Sequence, residues 1–306
     1  MVLITGGAGF IGHNAAILLK NHGFDVVAFD SLRRSTDLAL RRLSDFKIPL
    51  VKGDVLSARA LTSALNGVDV VVHAAAYIDV EESLMRPVLY LRNNLLGTAS
   101  VAKACLDGGV KLLIYLSSAS VYGEPVWLPL SEEHPTNPIS PYGLSKLMGE
   151  EVIRFYSRYG LKHVILRLFN VYGPGQSKAY AGVVTRFIER AVEGLQPIIY
   201  GDGEQTRDLI HVNDVSEAIK QTMERDVVNE TLNIGSGAPT KVKDLANLVI
   251  NLANINCKPI HRQPRAGDIK HSYAEISKAK RLLGFRPKVS LKEGLKELIE
   301  VRLQLK

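Results

Sequence analysis

The sequence predicts an α/β protein built on a doubly wound parallel sheet, and three observations support this. Short apolar runs at residues 2–4, 68–73 and 110–116 alternate with stretches of helical periodicity, the order expected of parallel strands joined by helical crossovers. The run at 68–73 contains a single acid, as expected for a strand covered on both faces. A glycine-rich turn directly follows the first run. Together they predict a Rossmann-type sheet, with a smaller, interleaved C-terminal domain where the alternation becomes irregular.

The first thirty residues carry the strongest signal. Residues 2–4 form a strand, the glycine-rich turn 5–12 follows, and a helical pattern comes next. Residues 24–29 form a second strand, and Asp30 lies at its end. This order is the context that a dinucleotide-binding fingerprint requires. The glycines let a pyrophosphate approach the backbone, and the helix N-terminus offers free N–H groups to the phosphates.

The glycines of this turn fit two spacings. Gly7, Gly9 and Gly12 match G-x-G-x-x-G, whereas Gly6, Gly9 and Gly12 match G-x-x-G-x-x-G. The pattern alone does not choose between them. An isolated match would be weak evidence, and the surrounding strand, helix and acid give it its weight.

The acid at the second strand end predicts the cofactor. Asp30 can accept both hydroxyls of the adenine-side ribose, and its charge repels a 2′-phosphate, so NAD is favoured over NADP. Arg33 and Arg34 follow closely and keep NADP as an alternative.

Composition excludes several classes of protein. Of 306 residues, 46% are hydrophobic and 23% charged, which is typical of globular proteins. The net charge of +7 is dispersed, so no nucleic acid partner is expected. Cys105 and Cys257 lie far apart and lack metal-ligand spacing, so neither a disulfide framework nor a metal site is expected. No apolar run reaches membrane-spanning length, and the turn begins too close to Met1 for a signal peptide. We expect a cytoplasmic protein without a membrane partner.

The remaining elements of the first half follow in order. A surface helix precedes a short strand that leads to Gly53-Asp54-Val55, and a helix capped by Ser57 comes next. The strand at 68–73 ends in small residues that would let the backbone approach a cofactor. The predicted helices are 34–46, 57–65 and 87–105, and the predicted strands are 50–51, 68–73 and 110–116.

The second half begins with a long, proline-rich loop from residue 123 to 141. Ser140 is a predicted N-cap with Pro141 at the first helical position, and the helix extends to about Tyr159. A strand at 163–169 follows, after which the alternation breaks. The predicted domains are 1–168, rejoined by about 205–235, and a lobe of 169–204 and 236–306.

Tyr142 and Lys146 form the sharpest local motif. Their i, i+4 spacing places phenol and ammonium on one helix face. A tyrosine with its ordinary pKa near 10 is a poor base at neutral pH, and a nearby ammonium lowers that pKa. A cationic nicotinamide ring would lower it further. The pair follows the glycine turn at a suitable distance, with Ser118 at a strand end between them.

With these residues, the chain resembles the extended short-chain dehydrogenase/reductase family, and within it the UDP-glucose 4-epimerase branch. The resemblance covers nearly the whole chain. It rests on the glycine turn, Gly53-Asp54-Val55, 73–76, Asn93-Asn94, Gly97-Thr98, 117–123, Tyr142 to Lys146, 167–175 and 201–208.

The resemblance implies a role for each matching residue. Tyr142 would be the acid/base, Lys146 would bind the nicotinamide ribose and tune Tyr142, and Ser118 would bind the C4 hydroxyl of the sugar. The residues implied for NAD are Gly6, Gly9, Phe10, Ile11, Gly12, Asp30, Ser31, Asp54, Val55, Ala74, Ala75, Asn93, Tyr142, Lys146 and Phe169. Those implied for a UDP-sugar are Ser118, Asn170, Tyr200, Arg207, Arg265 and Asp268. An ion pair between Arg207 and Asp208 is the alternative interpretation of that arginine.

Within the family, residues 118–120 help to separate reactions. Relatives that move protons at C5 place a carboxylate just before the Val-Tyr-Gly-like stretch, whereas this chain has Ser118-Ala119-Ser120. The resemblance therefore implies a C4 epimerase acting on UDP-galactose and UDP-glucose through a 4-keto sugar. A reductase, a UDP-uronate 4-epimerase and a non-catalytic nucleotide-sensing module remain alternatives.

Two further expectations come from the resemblance. The helices near 87–105 and 141–159 are expected to pair in a homodimer. Ser272 aligns with a position beside the sugar at which a tyrosine restricts the pocket to hexoses, so UDP-N-acetylglucosamine is expected to be tolerated. A shift of one residue would place Tyr273 there instead.

Overall fold

The computed structural model describes residues 1–177, 182–264 and 269–304. Its main element is a seven-stranded, all-parallel sheet, which confirms the predicted doubly wound fold. The strands lie in the order β10-β6-β5-β4-β1-β2-β3, where β1 is Val2–Thr5, β2 Val26–Asp30, β3 Leu50–Lys52, β4 Val70–His73, β5 Leu112–Ser118, β6 His163–Leu168 and β10 Glu230–Ile234.

Helices cover both faces of this sheet. One face buries Ala15, Leu19, Val215 and Ile219 in a single core cluster, and the other buries a cluster that includes Val101. The helices are α1 Phe10–Asn21, α2 Asp37–Asp45, α3 Ala58–Ala64, α4 Val80–Met85, α5 Pro87–Tyr90, α6 Gly97–Asp107, α7 Pro141–Ser157, α8 Val183–Val192, α9 Val212–Glu224, α10 Val242–Leu252, α11 Ser277–Leu283 and α12 Leu291–Gln304.

The helix predicted at 87–105 is present but not uniform. A π-helical segment, Leu91–Leu96, joins α5 to α6. Helices α4, α8 and α11 were not predicted from the sequence. The predicted N-cap of α7 is confirmed, because the Ser140 hydroxyl accepts a hydrogen bond from the Gly143 N–H at 3.1 Å.

A smaller lobe contains a second sheet. Strands β7 (Asn170–Tyr172), β9 (Thr206–His211), β11 (Pro239–Lys241) and β13 (His271–Ser272) form it, and β8 (Ile198–Tyr200) pairs separately with β12 (Ile260–Arg262). Helices α8, α10 and α12 share the core of this lobe.

The chain returns to the large sheet between the two parts of the lobe. Helix α9 packs against α1, and β10 extends the sheet beside β6. Strand β9 lies in the small sheet, so the return begins at Val212 rather than near residue 205. In the described stretches, no helix is both long and apolar enough to cross a membrane.

Candidate active site

Two adjoining cavities lie at the carboxyl ends of the parallel strands, where open α/β sheets bind ligands. The larger has a volume of about 470 Å³ and the smaller about 150 Å³. Phe10, Ile11 and Ala74 line both, so the two form one continuous groove. Every residue implied for NAD or for the UDP-sugar in the described stretches lies on the wall of one cavity or the other, whereas Ser272 lines neither.

The glycine turn forms one wall of the smaller cavity. Gly6 has a φ of +68°, and a Cβ there would lie 2.6 Å from the backbone nitrogen of Ala75. Glycine is therefore required both by conformation and by close packing. Gly9 is the N-cap of α1 and provides no capping side chain, so the first N–H groups of that helix are available to an anion.

Asp30 faces the same cavity in a fixed orientation. Its Oδ2 accepts a hydrogen bond from the Ala8 N–H at 3.0 Å, and its Oδ1 accepts one from the Leu32 N–H at 2.7 Å. Burial raises the pKa of this carboxyl, and the two backbone bonds oppose the shift. Each oxygen retains acceptor capacity toward a vicinal diol. Ser31 lies beside it on the cavity wall.

Arg33 and Arg34, which kept NADP as an alternative cofactor, each form an ion pair with an acid. The Arg33 guanidinium lies 3.0 Å from Asp54, and that of Arg34 lies 2.9 Å from Glu82. Arg34 also stacks on the Tyr77 ring, 3.8 Å from its centroid. Because acids engage both arginines, this arrangement favours NAD.

The remaining wall residues of the smaller cavity include Val55, Ala75 and Asn93. The Asn93 amide donates to Asn94 Oδ1 at 3.0 Å. The glycine turn offers N–H donors at one end of the smaller cavity. Asp30 offers a carboxylate that can accept hydrogen bonds from a diol at the other end. This donor and acceptor set fits the pyrophosphate and adenine-side ribose of NAD.

The larger cavity contains Ser118, Tyr142 and Lys146. Strand β5 ends at Ser118, and α7 presents Tyr142 and Lys146 one turn apart. The Ser118 hydroxyl donates a hydrogen bond to the Ser120 hydroxyl at 3.1 Å, and both Ser118 and Tyr142 line this cavity. Tyr142 is 9% exposed and Lys146 only 3%. The side chains of the predicted catalytic set therefore meet in a largely buried pocket.

Burial dominates the electrostatics of this group. It raises the pKa of the Tyr142 phenol, and the Ser118 hydroxyl opposes that shift. It lowers the pKa of Lys146 to about 7, against the influence of Glu150. The net shift of the Tyr142 pKa in the protein alone is therefore opposite to the predicted one, because desolvation of the buried phenol disfavours its charged form.

A buried ion pair beneath α7 was missed by the sequence analysis. Arg167 on β6 donates to Glu150 through Nε at 3.0 Å and Nη2 at 2.7 Å. Ser117 donates to the same carboxylate at 2.5 Å. Residues 150 and 167 are not neighbours on one element, so only the packing of α7 on β6 brings them together.

Asn94 belongs to the Asn93-Asn94 motif, and the structure shows that its side chain connects three segments of the site. Its Oδ1 accepts from the Tyr77 N–H at 2.8 Å, and its Nδ2 donates to the Tyr77 carbonyl and to Ser145, both at 2.9 Å. Ser145 in turn donates to the Tyr142 carbonyl at 2.7 Å. Asn94 therefore connects the π-helical segment, the cofactor-facing loop and the Tyr142 helix.

The lobe supplies the opposite wall of the larger cavity. Phe169, Asn170, Tyr200 and Arg207 line it, and the Asn170 amide donates to the Asp208 carbonyl at 3.2 Å. The Arg207 guanidinium donates to the Thr206 carbonyl at 2.9 Å. Arg265 and Asp268, also predicted for the substrate, lie outside the described residues.

Asp208 and Ser272 bear on two questions left open by the sequence. The Asp208 carboxylate accepts hydrogen bonds from the N–H groups of Ser236, Gly237 and Ala274, which accounts for its burial without Arg207. Ser272 is in parallel register with Arg207. Since paired residues of neighbouring strands share a face, Ser272 rather than Tyr273 lies on the Arg207 side.

Helix α8 adds a cationic residue that the sequence analysis missed. Arg186 lines the larger cavity with Gly182 and Val183 at the start of that helix. The amphipathic sequence of α8 was the signal that could have revealed it.

Comparisons with known proteins agree with this geometry. A family model described as "NAD dependent epimerase/dehydratase family" matches residues 2–235. A UDP-glucose 4-epimerase of Mycolicibacterium smegmatis is 35% identical over 305 residues, covering 97% of each chain. The crystal structure of a UDP-glucose 4-epimerase from Thermotoga maritima with UDP-glucose has a TM-score of 0.94 at 36% identity, covering 100% of this chain and 99% of that one. A UDP-N-acetylglucosamine 4-epimerase from Methanobrevibacter ruminantium, in complex with UDP-N-acetylmuramic acid, also has a TM-score of 0.94, at 33% identity and 100% and 98% coverage.

Proposed function

The chain belongs to the NAD-dependent epimerase/dehydratase family and is an NAD-dependent nucleotide-sugar epimerase, and we propose that it interconverts UDP-galactose and UDP-glucose at C4. The observation that carries this proposal is the composition of the larger cavity. Tyr142, Ser118 and Lys146 meet there, and residues 118–120 contribute no carboxylate. The acids that also line the cavity, Asp79 and Glu81, come from the start of α4. One acid/base suits a reaction that moves only the C4 hydroxyl proton and a hydride.

The protein's side chains have distinct tasks in this reaction. Tyr142 takes the proton of the C4 hydroxyl, directly or through Ser118, which lines the same cavity. Bound NAD would accept the hydride from C4 of the sugar, and its reduced form would later return it. Loss of hydride leaves a 4-keto sugar, and Tyr142 returns its proton after the sugar has presented its other face. Lys146 would donate hydrogen bonds to the nicotinamide-side ribose of a bound NAD.

The raised pKa of Tyr142 bears on how that base is generated. The protein's own groups favour the neutral phenol, which matches the state needed when the proton is returned. The phenolate required in the first half becomes accessible beside a positive charge. Two charges can serve, those of Lys146 and of the oxidised nicotinamide ring.

The proposal is tested with UDP-galactose labelled with deuterium at C4. We expect UDP-glucose to form with the label retained, because the same hydride is removed and returned. A reductase would instead consume reduced cofactor stoichiometrically, and a nucleotide-sensing module would bind without turnover. If the protein converts a UDP-uronate but not UDP-galactose, the proposed substrate is wrong and the UDP-uronate takes its place.

A second substrate is favoured by Ser272. Ser272 is paired in register with Arg207, which lines the larger cavity, and its side chain is too small to crowd the sugar as a tyrosine ring would. We therefore expect wild-type protein to epimerise UDP-N-acetylglucosamine as well, and Ser272→Tyr to lose that substrate while retaining UDP-galactose. Tyr273→Phe is the matched control, since its backbone carbonyl, bound by Leu130, is unchanged. Equal handling of the N-acetyl sugar by Ser272→Tyr would show that Ser272 does not control access.

A further inference from the structure

The ammonium group of Lys146 lies on an aromatic ring. Its Nζ is 4.4 Å from the ring centroid of Tyr115 on β5. Both residues are almost completely buried, Tyr115 at 1% and Lys146 at 3% exposure. The face of an aromatic ring is electronegative, and its attraction for a cation is strongest where water is excluded. The contact therefore has the geometry and the environment of a strong cation–π interaction.

Tyr115 is held in place from several sides. Its ring stacks on His73, with centroids 5.5 Å apart and an interplanar angle of 28°. Its hydroxyl donates to the Lys146 carbonyl at 3.4 Å. A Cβ at Gly149 would lie 2.4 Å from that hydroxyl, so α7 carries glycine where the tyrosine approaches it. The ring therefore has little freedom to move away from the lysine.

His73 is itself fixed by two threonines. Thr98 gives its hydroxyl proton to the Asn94 carbonyl at 2.6 Å, so it accepts from His73 Nε2 at 3.0 Å. His73 Nδ1 then accepts from the Thr5 hydroxyl at 2.7 Å. Burial and the nearby Lys146 charge lower the His73 pKa to about 3, which keeps the imidazole neutral. Thr5 ends β1, so the support for the ring begins at the glycine turn.

The other groups around Lys146 stabilise neither its ammonium form nor its neutral form strongly. Glu150 on α7 attracts the ammonium, but that carboxylate is already paired with Arg167. His73 on β4 is neutral, and Tyr142 on α7 is a neutral phenol at neutral pH. Burial lowers the Lys146 pKa to about 7. A modest additional attraction therefore decides how much of this lysine is charged at neutral pH.

We propose that Tyr115 is a positioning residue, whose ring face holds Lys146 as an ammonium ion directed toward Tyr142 and the cofactor. The proposal rests on the proposed function in so far as Lys146 acts on the nicotinamide-side ribose and on Tyr142. Tyr115 itself touches neither the substrate nor the cofactor in this assignment.

The test weakens the ring face without changing its shape. Tyr115→Phe keeps the ring, and replacing that phenylalanine with mono-, di- and trifluorinated phenylalanine withdraws electron density stepwise. We expect Tyr115→Phe to remain within about threefold of wild type. Across the fluorinated series, NAD affinity at pH 7.5 should fall progressively, by about tenfold at trifluorination, which is within the range of a desolvated cation–π contact.

The pH dependence provides the readout that a merely structural role would not change. A weaker ring face lowers the Lys146 pKa, so the ammonium is lost at lower pH. The decline of NAD affinity and of kcat on the alkaline side should therefore move to lower pH with each fluorine. The same fluorinated series at Phe46, which is 38% exposed and follows α2, is the control and should leave both profiles unchanged.

The outcomes separate this inference from the proposed function. Fluorination that alters neither NAD affinity nor its pH profile overturns the role of Tyr115, even if Tyr115→Leu is inactive or misfolded. A fluorine-dependent shift in NAD affinity, in a protein that does not convert UDP-galactose, supports Tyr115 and rejects the proposed substrate.

Discussion

At the scale of single residues, Tyr142 is the side chain on which the proposed reaction depends most. It lies on the wall of the larger cavity together with Ser118 and Lys146. We expect Tyr142→Phe to bind NAD and UDP-sugar normally and to lower kcat by at least ~10²-fold, the usual scale of positioned acid/base catalysis. Calorimetry and the epimerisation assay separate binding from turnover. Wild-type kcat in this variant would remove Tyr142 from the mechanism.

Asp30 is the residue that decides cofactor choice. Removal of its charge in Asp30→Asn keeps an acceptor for the Leu32 N–H but abolishes repulsion of a 2′-phosphate. We expect wild type to bind NAD at least roughly tenfold more tightly than NADP, equivalent to ~1.4 kcal/mol, and Asp30→Asn to narrow that ratio. Asp25→Asn, an exposed acid before the same strand, is the matched control. Equal calorimetric affinities of wild type for the two cofactors would contradict this role.

At the scale of secondary-structure elements, the attachment of α7 to the sheet positions the catalytic side chains. The carboxylate of Glu150 is bound by Arg167, Arg154 and Ser117. These partners lower its pKa below the ordinary value against the effect of burial. The resulting stability is present above the ordinary glutamate pKa, and it is lost as pH falls through the depressed folded-state pKa.

The Glu150 pair gives a stability prediction for this element. Glu150→Gln leaves the Arg167 charge buried without its partner, so the free energy of unfolding should fall by about 3–5 kcal/mol. The loss should shrink as the pH of the measurement is lowered into the range where Glu150 itself becomes protonated. Glu151→Gln, in an exposed pair with Arg154 on the same helix, should change stability by less than about 1 kcal/mol. Urea unfolding of both variants provides the comparison, and equal losses would mean that burial of the pair is unimportant.

The sequence predicted those features that depend on residues close together in the chain. The glycine turn, Asp30 and the cap at Ser140 depend on neighbours within a few residues, and the structure places each as predicted. The Glu150–Arg167 pair and the stacking of Tyr115 on His73 could not be predicted, because they depend on how separate elements pack. The sign of the Tyr142 pKa shift was missed for the same reason: a spacing of four shows that a lysine is near, but not that both side chains are buried.

At the scale of the whole molecule, the surface formed by α4, α5 and α7 is unusually apolar. Helices α4 and α5 pack against α7, and these three helices leave large hydrophobic side chains exposed. The exposed fractions are 61% for Leu84, 75% for Met85, 75% for Val88, 39% for Met148 and 49% for Phe155. Exposed apolar side chains grouped on neighbouring helices are typical of an association site. We propose that a second copy of the chain covers it, as expected for the predicted homodimer.

This surface gives a prediction about assembly. Two copies joined through these helices would bury about 800 Å² on each partner if the interface is of standard size, and a charge at its centre would be desolvated without a partner. Val88→Glu and Met148→Glu should therefore change the dimer into a monomer in sedimentation equilibrium at micromolar concentration. Leu303→Glu introduces the same charge at an exposed leucine of α12 and should leave the mass unchanged. Because Tyr142 and Lys146 lie on α7 itself, we expect the monomeric variants to bind NAD but to lose part of kcat. A wild-type protein that sediments as a monomer at these concentrations would show that another partner, or none, covers this face.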